Sequence, residues 1–234
     1  MNNKNKKKTE DTVDYSQQKT WAFLIIYFIF FTVLIMSIRS YNKNTPEKEP
    51  EKTFDFSFSE IEKNNYNFEY DLDFDSNQVT YIGKRNKERS LFQLNANGNS
   101  ESFFESSGLY VKNMNSYWQK VDCPYQIEEL TKIKYLKKLL QKATYDAKTS
   151  YESGNTVYIY QISTTTVEKI FSGKDIDLGD DPNKISITFN NNDKKVTKIE
   201  YDFTPYAVYK NIATKTYQFT MNYSNFGEVE ELNI

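Results

Sequence analysis

The chain has 234 residues, with 30 Lys and Arg against 32 Asp and Glu, a net charge of −2. It contains no His, one Cys and seven Gly. That composition excludes imidazole base chemistry, a Ser-His-Asp or Cys-His pair, a cysteine-held zinc, an internal disulfide and a glycine-rich phosphate loop.

Residues 1–19 hold five Lys and three acids and read as a cytoplasmic tail. Thr20–Ile38 then runs for 19 positions without a charge, TWAFLIIYFIFFTVLIMSI. At ~1.5 Å per residue such a helix is about 28 Å long, close to the hydrocarbon thickness of a bilayer. It has no polar stripe, so it is not a helix of a globular core. A cleaved leader has an apolar region of ~7–15 residues and a small-x-small site. This run is longer, and Met36-Ser37-Ile38-Arg39 offers no such site. The expectation is an uncleaved single-pass signal anchor. Five lysines precede it, and Arg39, Lys43, Lys48 and Lys52 follow. The Lys6–Lys8 run places the N-terminus in the cytoplasm and the rest outside. Residues 39–53, with Pro46 and Pro50, read as a linker. Residues 54–234 form the expected extracytoplasmic domain.

Within that domain Ser59–Glu62 reads as a short helical turn. In Asn67–Asp75, Phe68, Tyr70, Leu72 and Phe74 alternate with Glu69, Asp71, Asp73 and Asp75. Period two over that length is a half-buried strand. Short strands follow at Val79–Gly83, Ser90–Leu94, Ser102–Glu105, Gly108–Lys112 and Ser116–Val121, with Asn97-Gly98 as a hairpin turn. The run Lys84–Arg89 reads as a basic hairpin loop. Apolar residues three and four apart then predict a helix over Ile127–Ala147, with lysines between them. Strands return at Asn155–Ser163. Thr165-Thr166-Val167-Glu168 has capping-box spacing and predicts a short helix to Phe171. Asp175–Asp181 is an acidic loop. Alternation at Ile185–Phe189, Ile199–Phe203 and Tyr217–Tyr223 completes one antiparallel sheet, with a last strand around Val229.

Several clusters admit a bland reading. The acids of Glu69–Asp75 are the solvated face of a strand. Counted as a calcium loop from Asp71, the sixth and twelfth positions are Ser76 and Ile82, where Gly and Glu are needed. The Asp175–Asp181 loop meets Ser186 at its twelfth position. The lysine-rich helix either lies on anionic lipid or covers a sheet with snorkelling side chains. The 19 Tyr and 17 Phe either fill a core or line an apolar cavity. Residues 40–234 carry 24 cations and 29 acids, a poor charge balance for nucleic acid.

The order of helical turn, strands, central helix and strands is a pattern with a known counterpart. It runs through Asn65-Tyr66-Asn67-Phe68-Glu69-Tyr70, Tyr81-Ile82-Gly83, Tyr110-Val111-Lys112, Tyr117-Trp118 and Met221–Gly227. Over residues ~59–232 it resembles the LolA/LppX-like lipoprotein-carrier superfamily. The resemblance implies a strongly curved antiparallel sheet forming a half-open barrel. It also implies helices that plug the concave side and an apolar cavity for acyl chains. The chain departs from the pattern where a transmembrane helix stands in place of a lipidated Cys.

The expected fold class is therefore α+β, mainly β. An N-terminal transmembrane helix precedes a curved antiparallel sheet packed against one longer helix. The expected function is non-enzymatic and needs no cofactor: a membrane-anchored domain that binds a lipid or other apolar ligand. Phe68, Tyr70, Leu72 and Phe74 would line its cavity, with Leu136 and Leu140 packing from the helix. The alternative is a structural or signalling module of the cell envelope that binds a protein partner and has no cavity.

Overall fold

The computed structural model describes residues 52–233. Alternation of apolar and polar residues sets the strands, and each strand exposes one face. The first six form a meander: β1 (Asn65–Phe74), β2 (Asn77–Asn86), β3 (Arg89–Ala96), β4 (Asn99–Ser106), β5 (Leu109–Asn113) and β6 (Trp118–Val121). A second run comprises β7 (Thr144–Ser150), β8 (Asn155–Ser163), β9 (Pro182–Asn190), β10 (Lys195–Asp202) and β11 (Tyr217–Ser224). Among the described residues four short helices accompany them: α1 (Ser59–Glu62), α2 (Ile133–Lys142), α3 (Thr164–Ser172) and α4 (Thr204–Tyr209). A 3₁₀ turn covers Glu128–Thr131.

All eleven strands join one curved, unclosed sheet in the order β6-β5-β4-β3-β2-β1-β11-β10-β9-β8-β7. Every pairing is antiparallel. The two runs meet only where β1 pairs with β11. The strands consecutive across the middle of the chain, β6 and β7, are the two outer edges. The segment between them must therefore cross the whole sheet. It carries the 3₁₀ turn and α2, and buries Ile127, Leu130, Leu136, Leu139 and Leu140. The core lies under this crossing segment, on the inner face of the sheet.

The register aligns that face into rows. Tyr158, Ile187, Ile199, Met221, Tyr70, Tyr81 and Leu94 stand opposite one another across seven strands. Gly83 interrupts the neighbouring row for a steric reason. A Cβ there would lie 2.4 Å from the Cβ of Phe92, so the close approach of β2 and β3 needs Gly.

Several expectations are corrected. The predicted helix over Ile127–Ala147 is shorter. Lys132 and Ala143 are extended, at φ −104° and −70° with ψ 116° and 152°, and bound α2. Residues 144–150 are the edge strand β7, which the sequence hides because six of its seven residues are exposed and no alternation shows. The cap of α3 is Ser163, whose Oγ accepts from the Thr166 N–H at 3.3 Å, not the Thr165 box. Helix α4 was not expected; Pro205 sits in its first turn, where no donor is missed. No strand forms around Val229. The chain there is an extended strap laid on the outer face of the first run. The Asn65 side chain pairs with it like a backbone, donating to Val229 O at 3.1 Å and accepting from Val229 N at 2.9 Å. Asn86 donates to the same carbonyl at 2.7 Å, and Arg89 donates to Leu232 O at 2.9 Å. Val229 and Leu232 cover Phe104, with Leu91, Val111 and Trp118 around it.

Residues Lys52–Ile234 make one unit with its own core. The expected anchor at Thr20–Ile38 lies outside the described residues. Among the described helices none is long and apolar enough to cross a membrane.

Candidate functional site

The inner face of the sheet is the broadest apolar surface in the unit. In β1, Tyr66, Phe68, Tyr70 and Leu72 point to it because alternate residues share a face. Phe68 stacks on Tyr70 with ring centroids 4.5 Å apart. Three pieces of chain cover this surface. Tyr125 lies over the middle, with ring centroids 4.7 Å from Tyr81, 5.6 Å from Phe92 and 6.3 Å from Tyr70. Leu136, Leu139 and Leu140 of α2 are fully buried towards β8 and α3. Phe54 and Phe56 close the far side, Phe56 lying 4.9 Å from the Tyr158 ring and Phe54 6.0 Å from Tyr160.

Of the residues expected to line a cavity, Phe68, Tyr70, Leu72, Leu136 and Leu140 are buried in one core cluster. Phe74, the last residue of β1, is only partly buried against that cluster. The β1 residues lie under Tyr125 and the 3₁₀ turn, whereas α2 packs beside β8. One space between sheet and cover, lined by Leu72, Tyr81, Tyr125, Ile127, Leu130 and Phe219 among others, measures about 10 Å³. That is about one water's worth, against the ~300 Å³ or more of a typical ligand pocket. In this form the protein's own aromatics fill the face.

The cover is held by packing. Among the described residues, the hydrogen bonding between Pro124–Lys142 and the strands comes down to one contact. It is the Tyr81 hydroxyl donating to the Pro124 carbonyl at 3.2 Å. Burial pushes the Tyr81 hydroxyl pKa up to about 12, and lifts those of Tyr70, Tyr125 and Tyr223 well above the ordinary tyrosine value. These hydroxyls stay neutral at any physiological pH. Cys123, at the start of the crossing, has its thiol pKa raised by burial, which makes it a poor nucleophile.

One polar row runs through the apolar face at its edge. Tyr66, Arg85, Ser90, Glu105 and Tyr110 stand in register across β1 to β5. The Arg85 guanidinium donates to Glu105 Oε2 at 3.2 Å, and the Ser90 hydroxyl donates to the same oxygen at 2.9 Å. Burial opposes the charge on Arg85, yet the Glu105 carboxylate beside it keeps its pKa raised. The sequence reading took Lys84–Arg89 as a loop. Instead Lys84–Asn86 completes β2 and turns Arg85 inward. Tyr81, Gly83 and Arg85 share one face of β2, a pattern that shows only once β2 is known to run on through Asn86.

A second concavity of about 520 Å³ opens on the outer face of β7 to β11. Its walls include Asp146, Gln161, Lys184, Asp202, Lys215 and Gln218. Such a lining suits no apolar ligand.

No family model matches the chain, and no curated protein matches it. Solved structures do. Lipoprotein LppX of Mycobacterium tuberculosis is 8% identical with a TM-score of 0.46, over 75% of this chain and 97% of that one. LprF from Mycobacterium bovis is 9% identical with a TM-score of 0.42, over 75% and 92%.

Proposed function

We propose that this chain is a membrane-anchored, non-enzymatic domain outside the cytoplasm, and that it takes up a lipid or similar apolar ligand between sheet and cover. The observation that carries the reading is how the cover is held. Apolar packing is non-directional, so hydrocarbon chains can replace it at little cost. Because, among the described residues, one hydrogen bond ties Pro124–Lys142 to the strands, displacing the cover from them orphans almost no buried polar group there. The row from Tyr158 to Leu94, three tyrosines among four aliphatic side chains, then offers an apolar floor seven strands wide. The charge-free run Thr20–Ile38 supports the anchor, and the Lys6–Lys8 run supports a cytoplasmic N-terminus.

Native mass spectrometry of the unit 52–234 tests the ligand, together with uptake of a fluorescent fatty acid. A copurified lipid mass, or saturable uptake, is expected. A clean polypeptide mass with no uptake overturns the reading. A reporter fused to either end tests the orientation, and an external N-terminus overturns it.

A second reading rests on the space of about 10 Å³ beneath the cover. A face filled by its own aromatics suits an envelope module that binds a protein partner and carries no ligand. Absence of lipid in the experiment above is its expected result.

A further inference from the structure

Helix α2 has two opposite faces. Leu136, Leu139 and Leu140 are buried in the core. Lys134, Lys137, Lys138 and Lys142 are exposed, and the helix contains no acid. The apolar face is already used, so the helix cannot insert into lipid as a free amphipathic helix does. Its cationic face is a different matter. Lys134 and Lys138 lie over the Tyr135 ring, 5.0 and 5.4 Å from its centroid, with no carboxylate paired to either among the described residues. Lys137 shares its charge with Glu62 at 2.5 Å.

The beginning of the unit is fastened to this same helix. The Lys52 N–H donates to Gln141 Oε1 at 2.7 Å, and Gln141 Nε2 donates back to Lys52 O at 3.2 Å. The Lys52 ammonium donates to the Ala143 carbonyl at 2.5 Å. Chain-wise, Lys52 stands thirteen residues, 39–51, beyond the end of the apolar run. Thirteen extended residues reach at most about 47 Å. A membrane that held Thr20–Ile38 would therefore lie within roughly that reach of Lys52.

We infer that the lysine face of α2 docks on the anionic lipid surface of the membrane that holds the anchor. This rests on the anchoring proposed above. Charge supplies the orientation. Residues 40–234 carry a net negative charge, 24 cations against 29 acids, and an anionic bilayer repels such a body. A helix that contains no acid, and whose Lys134 and Lys138 have no paired carboxylate among the described residues, is the side it accepts. Each lysine close to an anionic surface strengthens attachment about fivefold, and the effect fades beyond a Debye length. Docking by α2 also sets the cover of the apolar face against the source of lipid.

The test uses the full chain in vesicles of phosphatidylglycerol and, separately, of phosphatidylcholine. A water-soluble acetylating reagent reads each lysine, followed by peptide mass spectrometry. In phosphatidylglycerol, Lys134, Lys137, Lys138 and Lys142 are expected to react several-fold more slowly than in phosphatidylcholine. Lys87 and Lys120, on the other run of strands, serve as controls and react equally. High salt is expected to abolish the difference, and K134E/K138E to remove it from Lys137 and Lys142. A carbonate wash separates the two ideas. Chain retained on the vesicles, with equal acetylation in both lipids, overturns the docking and leaves the anchor standing. Chain released by carbonate overturns both.

Discussion

Arg85 and Glu105 are the pair of residues whose placement has the clearest cost. A buried ion pair gains little over apolar side chains of the same size, but breaking one side leaves an uncompensated charge. Glu105→Leu is expected to destabilise the unit by about 3 kcal/mol, and a joint R85M/E105L change to recover most of that. Urea unfolding of the wild type and the three variants of a double-mutant cycle checks it. The buried tyrosines predict a second residue-scale effect. Tyr81 and Tyr160 ionise at about 12 in the folded state, against about 10 when unfolded. Their pKa values are raised, so the unfolded chain loses these protons first. Stability is then fully present below pH ~10 and declines as pH climbs towards ~12. A plot of urea midpoint against pH should fall over that window, and Tyr81→Phe should make the fall shallower without removing it, since the other buried tyrosines remain. At this scale the sequence was legible where alternation was clean: Tyr70 and Leu72 are inward, as Glu69 and Asp73 predict. It was illegible at Arg85, because a charge in a basic run reads as surface until its partner strand is known.

At the scale of elements, the crossing segment matters most. Leu139 of α2 is wholly buried and contributes packing alone. Leu139→Ala is expected to cost about 2–5 kcal/mol, and to speed lipid uptake if the cover is what moves aside. Chemical denaturation and stopped-flow uptake measure the two effects together. Slower or unchanged uptake would show that the cover is not what moves aside, and no uptake in either protein is what the packed-module reading expects. The helix was recognised in the sequence but drawn too long. Leu140, Ala143 and Ala147 keep helical spacing by accident, while Ala143 turns extended and an edge strand starts. Edge strands buried on neither face leave no pattern to read. Helix α4 went unread for a related reason: at six residues it is shorter than the window in which a 3.6-residue period shows.

For the molecule as a whole, the strap at residues 228–233 acts as an outer seal. Removing it would uncover Phe104, Leu91 and Val111 on the outer face, an apolar patch of the kind that drives association. A chain ending at Gly227 is expected to elute as a larger species in size-exclusion chromatography, while a Val229→Ala variant with the strap retained stays at the wild-type position. The free edges are guarded differently. β6 has only four residues, and β7 carries a bulge between Tyr145 and Ala147 that breaks its ladder.

The join of β1 to β11 has a consequence in time. These strands pair residues as far apart as Asn67 and Ser224, so the last strand made completes the centre of the sheet. During synthesis β1 waits with one row of backbone groups unpaired until nearly the whole chain has emerged. Contacts of such long range make folding slow and leave an open strand edge exposed meanwhile. A chaperone that shields exposed strand edges would act on this chain at β1, before β11 arrives.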